Sequence, residues 1–153
     1  MAIVRPAAPS DFELLLPLRQ SLWPDSTAAE LRAMLRGPHT LGGLPAAILV
    51  ALAGAEGIAG FVEVSLRSYA DGCDPAQPAG YLEGWFVHPA HRRQRIAAAL
   101  LHAAENWARA HGCREMASDT WLDNAVSHRA HLALGFEEVD RCIHYRKSLT
   151  PEP

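Results

Sequence analysis

The sequence predicts a mixed α/β domain with a central sheet that carries helices on its faces. Three observations support this fold class. Stretches with strand-like and helix-like hydrophobic spacing alternate along the chain, turn residues separate them, and no repeat or low-complexity linker interrupts them. The 153 residues are enough for one domain that buries a core without disulfides or metals. We expect this single domain to span residues 1–149 and the tail over 150–153 to be frayed.

The N-terminal part of the chain is predicted to hold one strand and two helices. Residues 2–5 form a short edge strand, and a helix begins at residues 9–11, capped by a serine or an aspartate. Pro24 ends this helix, because Trp23, as the residue before a proline, avoids the helical region. A second short helix follows over residues 28–35.

Three strands fill the middle of the chain, at residues 46–53, 58–66 and 81–87. A hairpin turn over residues 54–57 joins the first two strands. The polar loop 68–78 leads to the third, and Pro89 stops it.

The C-terminal part returns to alternating elements. Residues 96–111 have the spacing of a long amphipathic helix, and Gly112 stands in the helix-stopping position. A strand over 113–118, a helix over 124–134 and a last strand or strands over 136–147 complete the order β-α-α-β-β-β-α-β-α-β.

Composition and charge narrow the class of partner. A general nucleic-acid binder usually has a basic balance, whereas the formal net charge here is −3. We expect no nucleic-acid partner, and the acidic excess suits a cationic one. The N-terminus lacks a signal-peptide pattern, and no apolar run is long enough to span a membrane. These features predict a cytoplasmic protein with no membrane partner.

The cysteines and histidines lack the spacing of metal ligands. Cys73, Cys113 and Cys142 are odd in number, and no two of them form a metal pair or a C-x-x-C motif. The eight histidines show no pattern like H-E-x-x-H. We expect reduced thiols and no metal.

The segment 91–100, here called the arginine turn, has the pattern of an anion site. It follows a predicted strand, carries three arginines and then enters a helix through small residues. The first N–H groups of a helix have no internal partner, and small side chains let a ligand approach the backbone. A pyrophosphate fits this pattern better than a lone carboxylate does. A basic helix N-terminus that faces solvent and binds no ligand would explain the pattern of this turn, taken by itself, equally well.

Two motifs resemble the signatures of the GCN5-related N-acetyltransferase (GNAT) superfamily. The acetyl-CoA turn of that family reads [Q/R]-x-x-G-x-[G/A]. The segment from Arg92 to Ala97 fits its first and last positions, but Arg95 replaces the central glycine. The second signature begins at Asn124 and ends in Gly-Phe, with His131 where the family usually has a tyrosine.

More specifically, the chain resembles bacterial aminoglycoside 6'-N-acetyltransferases. The stretches that carry this resemblance are 21–24, 80–87, 112–119 and the segment from 127–128 to 145–147. The resemblance implies a mostly antiparallel mixed sheet with splayed middle strands and helices on both faces. It also implies acetyl transfer from acetyl-CoA to an aminoglycoside, an antibiotic-resistance activity, and homodimers paired through the C-terminal strands. The alternating tail 139–145 suits such pairing, and a monomer with that strand folded back fits equally well.

The resemblance also implies where the coenzyme binds. Its pantetheine arm would lie in the gap between strands 81–87 and 113–118, with a backbone N–H near Phe86 or Val87 polarising the thioester carbonyl. Asn124 would contact the arm, and His131 could protonate the leaving thiolate or simply be a packed or solvated histidine. The turn residues implied in coenzyme binding are Arg92, Arg93, Gln94, Arg95, Ile96, Ala97 and Ala98.

Two carboxylates are candidates for handling the acceptor amine. Glu83 interrupts an apolar strand and Asp119 ends the neighbouring one, although an outward-facing residue and a cap would explain them too. We favour Glu83 on the base side and Asp119 as a substrate carboxylate, with the roles open to exchange. Exposed rings suit sugars and ammonium groups, and Trp23 could instead plug the core. The substrate-binding candidates are Trp23, Tyr69, Asp71, Glu83, Asp119 and Asp140.

Two other functions stay open at this stage. The first is an acetyltransferase of the same fold that acts on a polyamine, a small metabolite or a peptide N-terminus. The second is an acyl-CoA-binding domain without turnover, which the arginine at the glycine position makes plausible.

Overall fold

The computed structural model describes residues 2–55 and 57–151. The strands are β1 (Val4–Pro6), β2 (Thr40–Leu41), β3 (Leu44–Ala53), β4 (Gly57–Arg67), β5 (Ala79–Val87) and β6 (Met116–Ser118). The helices are α1 (Phe12–Leu22), α2 (Ala28–Arg36), α3 (Ile96–Ala110) and α4 (Ala125–Ala133), with short 3₁₀ helices at Pro9–Asp11 and Pro89–His91. The chain forms two compact units, Met1–Asp119 and Thr120–Pro153.

The sheet belongs to the first unit and runs in the order β1-β3-β4-β5-β6, with β2 paired to β3. Every neighbouring pair is antiparallel except β5 and β6, which are parallel. Strand β4 is a nearly continuous run of buried residues, and β3 has four buried residues in a row at its centre, as expected for strands covered on both faces. The predicted mixed, mostly antiparallel α/β fold is confirmed.

Helices of the first unit pack against the sheet. The helices α1 and α2 bury a core cluster made of Leu15, Leu18, Leu31, Ile48, Val50 and Phe61. Helix α3 packs on β4 and β5 and buries one stripe of its surface, which includes Leu100 and Ala104. In residues 2–55 and 57–151, none of the helices has the length and apolar character needed to cross a bilayer.

An irregularity in the β4–β5 ladder shapes the middle of the sheet. Glu63 pairs with Gly84, but the next residue, Val64, pairs with Leu82. Glu83 is therefore the extra residue of a bulge, and a bulge redirects the side chain that it carries. The strand bends at the position of the candidate carboxylate.

Two C-terminal predictions differ from the structure. The strand predicted over 113–118 is shorter, because its pairing with β5 begins only at Met116. The strand predicted over 136–147 is wrong for this chain by itself, since residues 134–151 form no helix or strand. Its apolar side chains Val139 and Ile143 are 59% and 70% exposed, so no neighbouring strand covers them. The predicted frayed tail, 150–153, lies partly outside the described residues.

Candidate functional site

The arginine turn connects the end of β5 to the start of α3. A 3₁₀ helix follows Val87, and α3 begins at Ile96. The Nε atom of Arg92 donates a hydrogen bond to the carbonyl of Val87 at 3.3 Å, which folds the turn back onto the strand. The first N–H groups of α3 lack acceptors within the helix and carry the positive end of its dipole. The turn thus has the strand–turn–helix geometry that binds anions.

Two arginines of this turn adopt a backbone conformation that favours glycine. Arg93 has φ 63° and Arg95 has φ 59°. Arg95 is the N-cap of α3, with ψ 18° and no capping hydrogen bond from its side chain. A non-glycine residue in the left-handed region costs about 1–2 kcal/mol. The glycine-type backbone of the motif is therefore kept although the glycine is absent.

Beyond the arginine turn, one edge of β5 is open. Parallel pairing with β6 covers three residues and ends at Leu82 and Ser118. From there β5 continues to Val87, and in residues 2–55 and 57–151 no further strand pairs with that edge. The N–H of His88 donates to Ala59 of β4 at 2.8 Å. Because N–H groups alternate between the two edges of a strand, the N–H of Val87 faces the open edge.

Glu83 is held by two donors on β4. The Oγ atom of Ser65 donates to its carboxylate at 2.5 Å. The guanidinium of Arg67 donates twice, from Nη2 at 2.8 Å and from Nε at 3.1 Å. The side chain of Glu83 is 18% exposed and that of Arg67 is 43% exposed. Charge pairing and hydrogen bonds therefore fix Glu83 at the bulge while one side stays open to solvent.

Asp119 lies near the same group, beside Tyr81. Tyr81 pairs with Ala117 of β6, and Asp119 lies one residue beyond the end of that strand. Burial and the charge of the nearby Asp119 raise the pKa of Tyr81 to about 12, although the charge of Arg67 lowers it. The guanidinium of Arg67 lies 3.4 Å from the ring centroid of Tyr81. The residues Ser65, Arg67, Tyr81, Glu83 and Asp119 are called the carboxylate cluster below.

Sequence reasoning placed Glu83 and Asp119 at the ends of two splayed strands, and the structure places both beside Tyr81 and Arg67. It missed Ser65 and Arg67, which hold Glu83, and Tyr81, whose ring lies under the Arg67 guanidinium. A signal for two of them was present, because polar residues recur at every second position through Ser65 and Arg67 at the end of an apolar strand. Nothing in the spacing of Tyr81 separates it from a core aromatic residue.

Trp23 lies half-buried at the end of α1 and packs against the bulged part of β5. A Cβ atom at Gly84 would lie 2.5 Å from the Trp23 ring, so only glycine leaves room for the indole. The ring also lies 6.0 Å from that of Phe61 and 5.0 Å from the guanidinium of Arg19. Trp23 therefore packs onto the core, as the alternative interpretation held, next to the strand that carries Glu83.

Tyr69 and Asp71 lie in the exposed loop that follows β4. The Tyr69 hydroxyl donates to the Asp71 carboxylate at 3.0 Å, and the Tyr69 side chain is 61% exposed. The loop is attached to the chain before β6 by the N–H of Asp74, which donates to Glu115 at 2.8 Å. These contacts place the ring and the carboxylate together on a loop that continues from Arg67.

The remaining candidates belong to the second unit. Asn124 caps α4 by accepting a hydrogen bond from the N–H of Ser127 at 3.0 Å. His131 lies on α4, with Nδ1 at 2.8 Å from the carbonyl of Ser127 and its ring against Phe136. Asp140 is exposed in the segment without secondary structure. The roles implied for these three residues stay predictions.

Within residues 2–55 and 57–151, no three His, Cys, Asp or Glu side chains are close enough together to hold a metal ion.

Known proteins are similar to this chain in fold and in sequence. A model of the acetyltransferase (GNAT) family matches residues 12–136. The chain belongs to this family. The resemblance to this superfamily is thereby confirmed.

Relatives of this GNAT member extend the match over nearly the whole chain. It is 45% identical over 151 residues to an aminoglycoside N(6')-acetyltransferase type 1 of Klebsiella aerogenes, covering 96% of this chain and 97% of that one. Among solved structures, the 6'-N-acetyltransferase AAC(6')-Ih of Acinetobacter baumannii matches with a TM-score of 0.84 at 33% identity, covering 98% and 100% of the two chains. AAC(6')-Iy, solved with the bisubstrate analog CoA-S-monomethyl-acetylneamine, matches with a TM-score of 0.83 at 37% identity, covering 97% and 99%.

Proposed function

We propose that this GNAT acetyltransferase transfers the acetyl group of acetyl-CoA to the 6'-amino group of an aminoglycoside and so acts as an antibiotic-resistance enzyme. One observation carries the proposal. Glu83 and Asp119 lie in one cluster beside the open edge of β5, where an acceptor amine would meet the coenzyme. Relatives at 45% and 38% identity with the 6' activity in their names support the choice of substrate.

The arginine turn and the open edge of β5 suit acetyl-CoA as co-substrate. The free N–H groups of α3 and the guanidinium groups around them would bind the pyrophosphate. The open edge would hold the pantetheine arm, with the N–H of Val87 directed at the thioester oxygen. The residues assigned to the coenzyme are Phe86, Val87, Arg92, Arg93, Gln94, Arg95, Ile96, Ala97, Ala98, Asn124 and His131. When bound, acetyl-CoA supplies the activated carbonyl carbon.

In the reaction the amine nitrogen bonds to that carbonyl carbon and the carbon–sulfur bond breaks. One proton leaves the nitrogen and one ends on the sulfur. Glu83 would accept the amine proton through water, and Asp119 would bind an ammonium group of the substrate. His131 would give the thiolate its proton.

The acceptor site would combine the carboxylate cluster with nearby aromatic residues. Tyr69 and Asp71 form an exposed pair on the loop after β4, and Trp23 packs beside the bulge. Rings and carboxylates together suit a polycationic sugar. Asp140, in the second unit, is a further acidic candidate.

We further propose that the enzyme is a cytoplasmic homodimer. In the second unit, Trp121, Val126 and Ile143 are 70–78% exposed. A second copy would cover such residues and give the alternating tail 139–145 a strand to pair with. The three cysteines form no disulfide in the described part of the chain, which suits a reducing compartment.

Thiol release from acetyl-CoA tests the proposed activity. The assay compares kanamycin and tobramycin with spermidine, a lysine peptide and an aminoglycoside that lacks a free 6'-amine. We expect turnover with the first two and none with the last. Acetylation of the compound without a 6'-amine would contradict the assigned position. Preference for spermidine or the peptide would point to a different acceptor, and CoA binding without any turnover would point to a binding domain.

A further inference from the structure

The carboxylate of Glu83 accepts three hydrogen bonds, which are divided unequally between its two oxygens. Oε1 accepts from the Oγ atom of Ser65 at 2.5 Å and from Nε of Arg67 at 3.1 Å. Oε2 accepts from Nη2 of Arg67 at 2.8 Å. We propose that Ser65 and Arg67 are positioning residues that occupy Oε1 and leave Oε2 as the atom that takes the proton of the acceptor amine. The inference rests on the acetyltransferase function proposed above and assigns further residues to the same site.

The bulge in β5 separates Glu83 from a second carboxylate on β4. Leu82 pairs with Val64, so a regular ladder would place the next residue, Glu83, directly opposite Glu63. Gly84 takes that position instead. Like charges directly opposite each other on neighbouring strands are destabilising. The bulge therefore keeps the two acids apart and leaves Glu83 to its own donors.

The two donors reach Glu83 from one face of β4. Ser65 and Arg67 are two residues apart on that strand, so their side chains point to the same side of the sheet. Ser65 is fully buried, whereas the side chain of Arg67 is 43% exposed and lies over the ring of Tyr81. The hydroxyl of Ser65 thus holds Oε1 from the side of the core, and solvent reaches the carboxylate from the opposite side.

The two oxygens of Glu83 differ in how many further hydrogen bonds they can accept. A carboxylate oxygen has two acceptor positions. Among the described residues, Ser65 and Arg67 fill both positions of Oε1, and Arg67 fills one position of Oε2. A water molecule between the amine and Glu83 therefore donates to Oε2. The N–H bond of the amine breaks as its proton passes to this water, a proton of the water moves to Oε2, and the carboxylate becomes a neutral acid.

Ser65→Ala tests the role of the hydroxyl. The substitution removes one of the two donors to Oε1 and leaves the backbone pairing of β4 in place. We expect kcat for kanamycin to fall about tenfold, as typical for loss of a hydrogen bond that orients a charged reacting group, with unchanged KM values for kanamycin and acetyl-CoA. The matched control is Ser26→Ala, because Ser26 is also buried and its hydroxyl accepts a hydrogen bond from Arg19 rather than binding Glu83. It should keep the wild-type kcat.

Arg67→Lys changes the second donor at a partly exposed position, so it spares the core. Lysine keeps the positive charge but lacks the planar fork that binds both oxygens of a carboxylate at once. We expect the same fall in kcat with unchanged KM values. A higher KM for kanamycin at wild-type kcat, in this variant or in Ser65→Ala, would mean that the residue contacts the acceptor, and the positioning role would be wrong.

A double-variant cycle with Glu83→Gln separates positioning from a general structural effect. Glutamine cannot take the proton, so the residual rate of this variant does not depend on which oxygen is accessible. Ser65→Ala should therefore cost nothing more in the Glu83→Gln background. A tenfold loss in both backgrounds would show that Ser65 acts independently of Glu83, against the proposal.

The wild-type activity distinguishes failure of this inference from failure of the proposed function. If wild-type protein acetylates kanamycin while Ser65→Ala and Arg67→Lys keep its kcat, the positioning role is overturned and the function stands. Wild-type kcat in Glu83→Gln would have the same meaning, because Glu83 would then take no proton. If wild-type protein releases no thiol with any aminoglycoside, both the function and the inference are overturned.

Discussion

At Arg95 the chain holds a charged residue in a backbone conformation that favours glycine, with φ 59° and ψ 18°. The side chain is exposed, and its backbone caps α3 without a capping hydrogen bond from the side chain. A conformational cost therefore lies at the residue that directly precedes the first free N–H groups of the helix. Stability and coenzyme binding can be measured separately at this position.

We predict that Arg95→Gly raises the free energy of unfolding by about 1 kcal/mol, because glycine enters the left-handed region without steric cost. Chemical denaturation of the free protein measures this. Arg92→Gly is the matched control, since Arg92 has φ −66° and ψ 158° and gains nothing from glycine. A stabilisation that is equal in both variants would contradict the role of the left-handed backbone.

The same variant shows what the charge of Arg95 contributes to coenzyme binding. A guanidinium that reaches a phosphate makes binding weaker and less salt-dependent when it is removed. Tighter binding of CoA by Arg95→Gly would instead mean that backbone strain opposes the bound geometry. An unchanged affinity would mean that the side chain points into solvent.

At the scale of elements, Asp11 ties β1 to the start of α1. Its carboxylate accepts hydrogen bonds from Arg5 at 2.7 and 2.8 Å and from the N–H of Ala8 at 2.7 Å. The hydrogen bonds from Arg5 hold the pKa of Asp11 below its ordinary value, although burial acts to raise it. A carboxylate of this kind stabilises the fold above its unfolded-state pKa, and the contribution is lost as the pH falls below that value.

We predict that Asp11→Asn lowers the free energy of unfolding by about 1 kcal/mol at pH 7, as expected for a partly exposed charged hydrogen bond. The difference from wild type should shrink as the pH falls below about 4, where the unfolded carboxyl becomes protonated. Urea denaturation at several pH values measures it. Asp25→Asn, on an exposed residue of the loop before α2, is the control. A difference that does not change with pH would argue against the ion pair.

The sequence predicted those elements whose signal is local. The apolar spacing that begins at Ile96 and the stop at Gly112 place α3 within two residues of its observed ends. The strand before Asp119 was predicted too long, because its length depends on where pairing with β5 begins. The carboxylates were found from their positions in the strands. The contacts of Arg67 with Glu83 and with the Tyr81 ring were not, since they depend on the bulge at Glu83 and on packing between strands.

At the scale of the whole molecule, residues 120–151 contain no buried residue. The tail 139–145 was predicted as a strand because its apolar and polar residues alternate. No strand forms in the single chain, because nothing covers the apolar side chains there. Alternating apolar and polar residues are typical of a strand with one buried face. A second copy of the chain can bury that face. Whether residues 1–149 form one domain, as predicted, depends in the same way on what buries the apolar face of this tail.

We predict a dimer with about twice the 16.6 kDa mass of the chain in sedimentation velocity experiments. Ile143→Asp should shift the equilibrium toward monomers by at least about tenfold, because it places a charge where apolar surface is to be buried. Ile3→Asp is the matched control, as Ile3 is 67% exposed and Ile143 is 70% exposed. A wild-type protein that sediments as a monomer would favour a folded-back tail.

The open edge of β5 has a further consequence for the protein without its coenzyme. Unpaired N–H and C=O groups at a strand edge can pair with strands of other protein molecules. The groove beside this edge is therefore a site of aggregation when no coenzyme occupies it. A coenzyme arm that occupies the groove covers this edge and so protects it from pairing with other molecules. At a hundredfold excess of coenzyme over its dissociation constant, binding also adds about 2.7 kcal/mol to the free energy of unfolding. We therefore expect the purified protein to aggregate more slowly in storage when coenzyme occupies that groove.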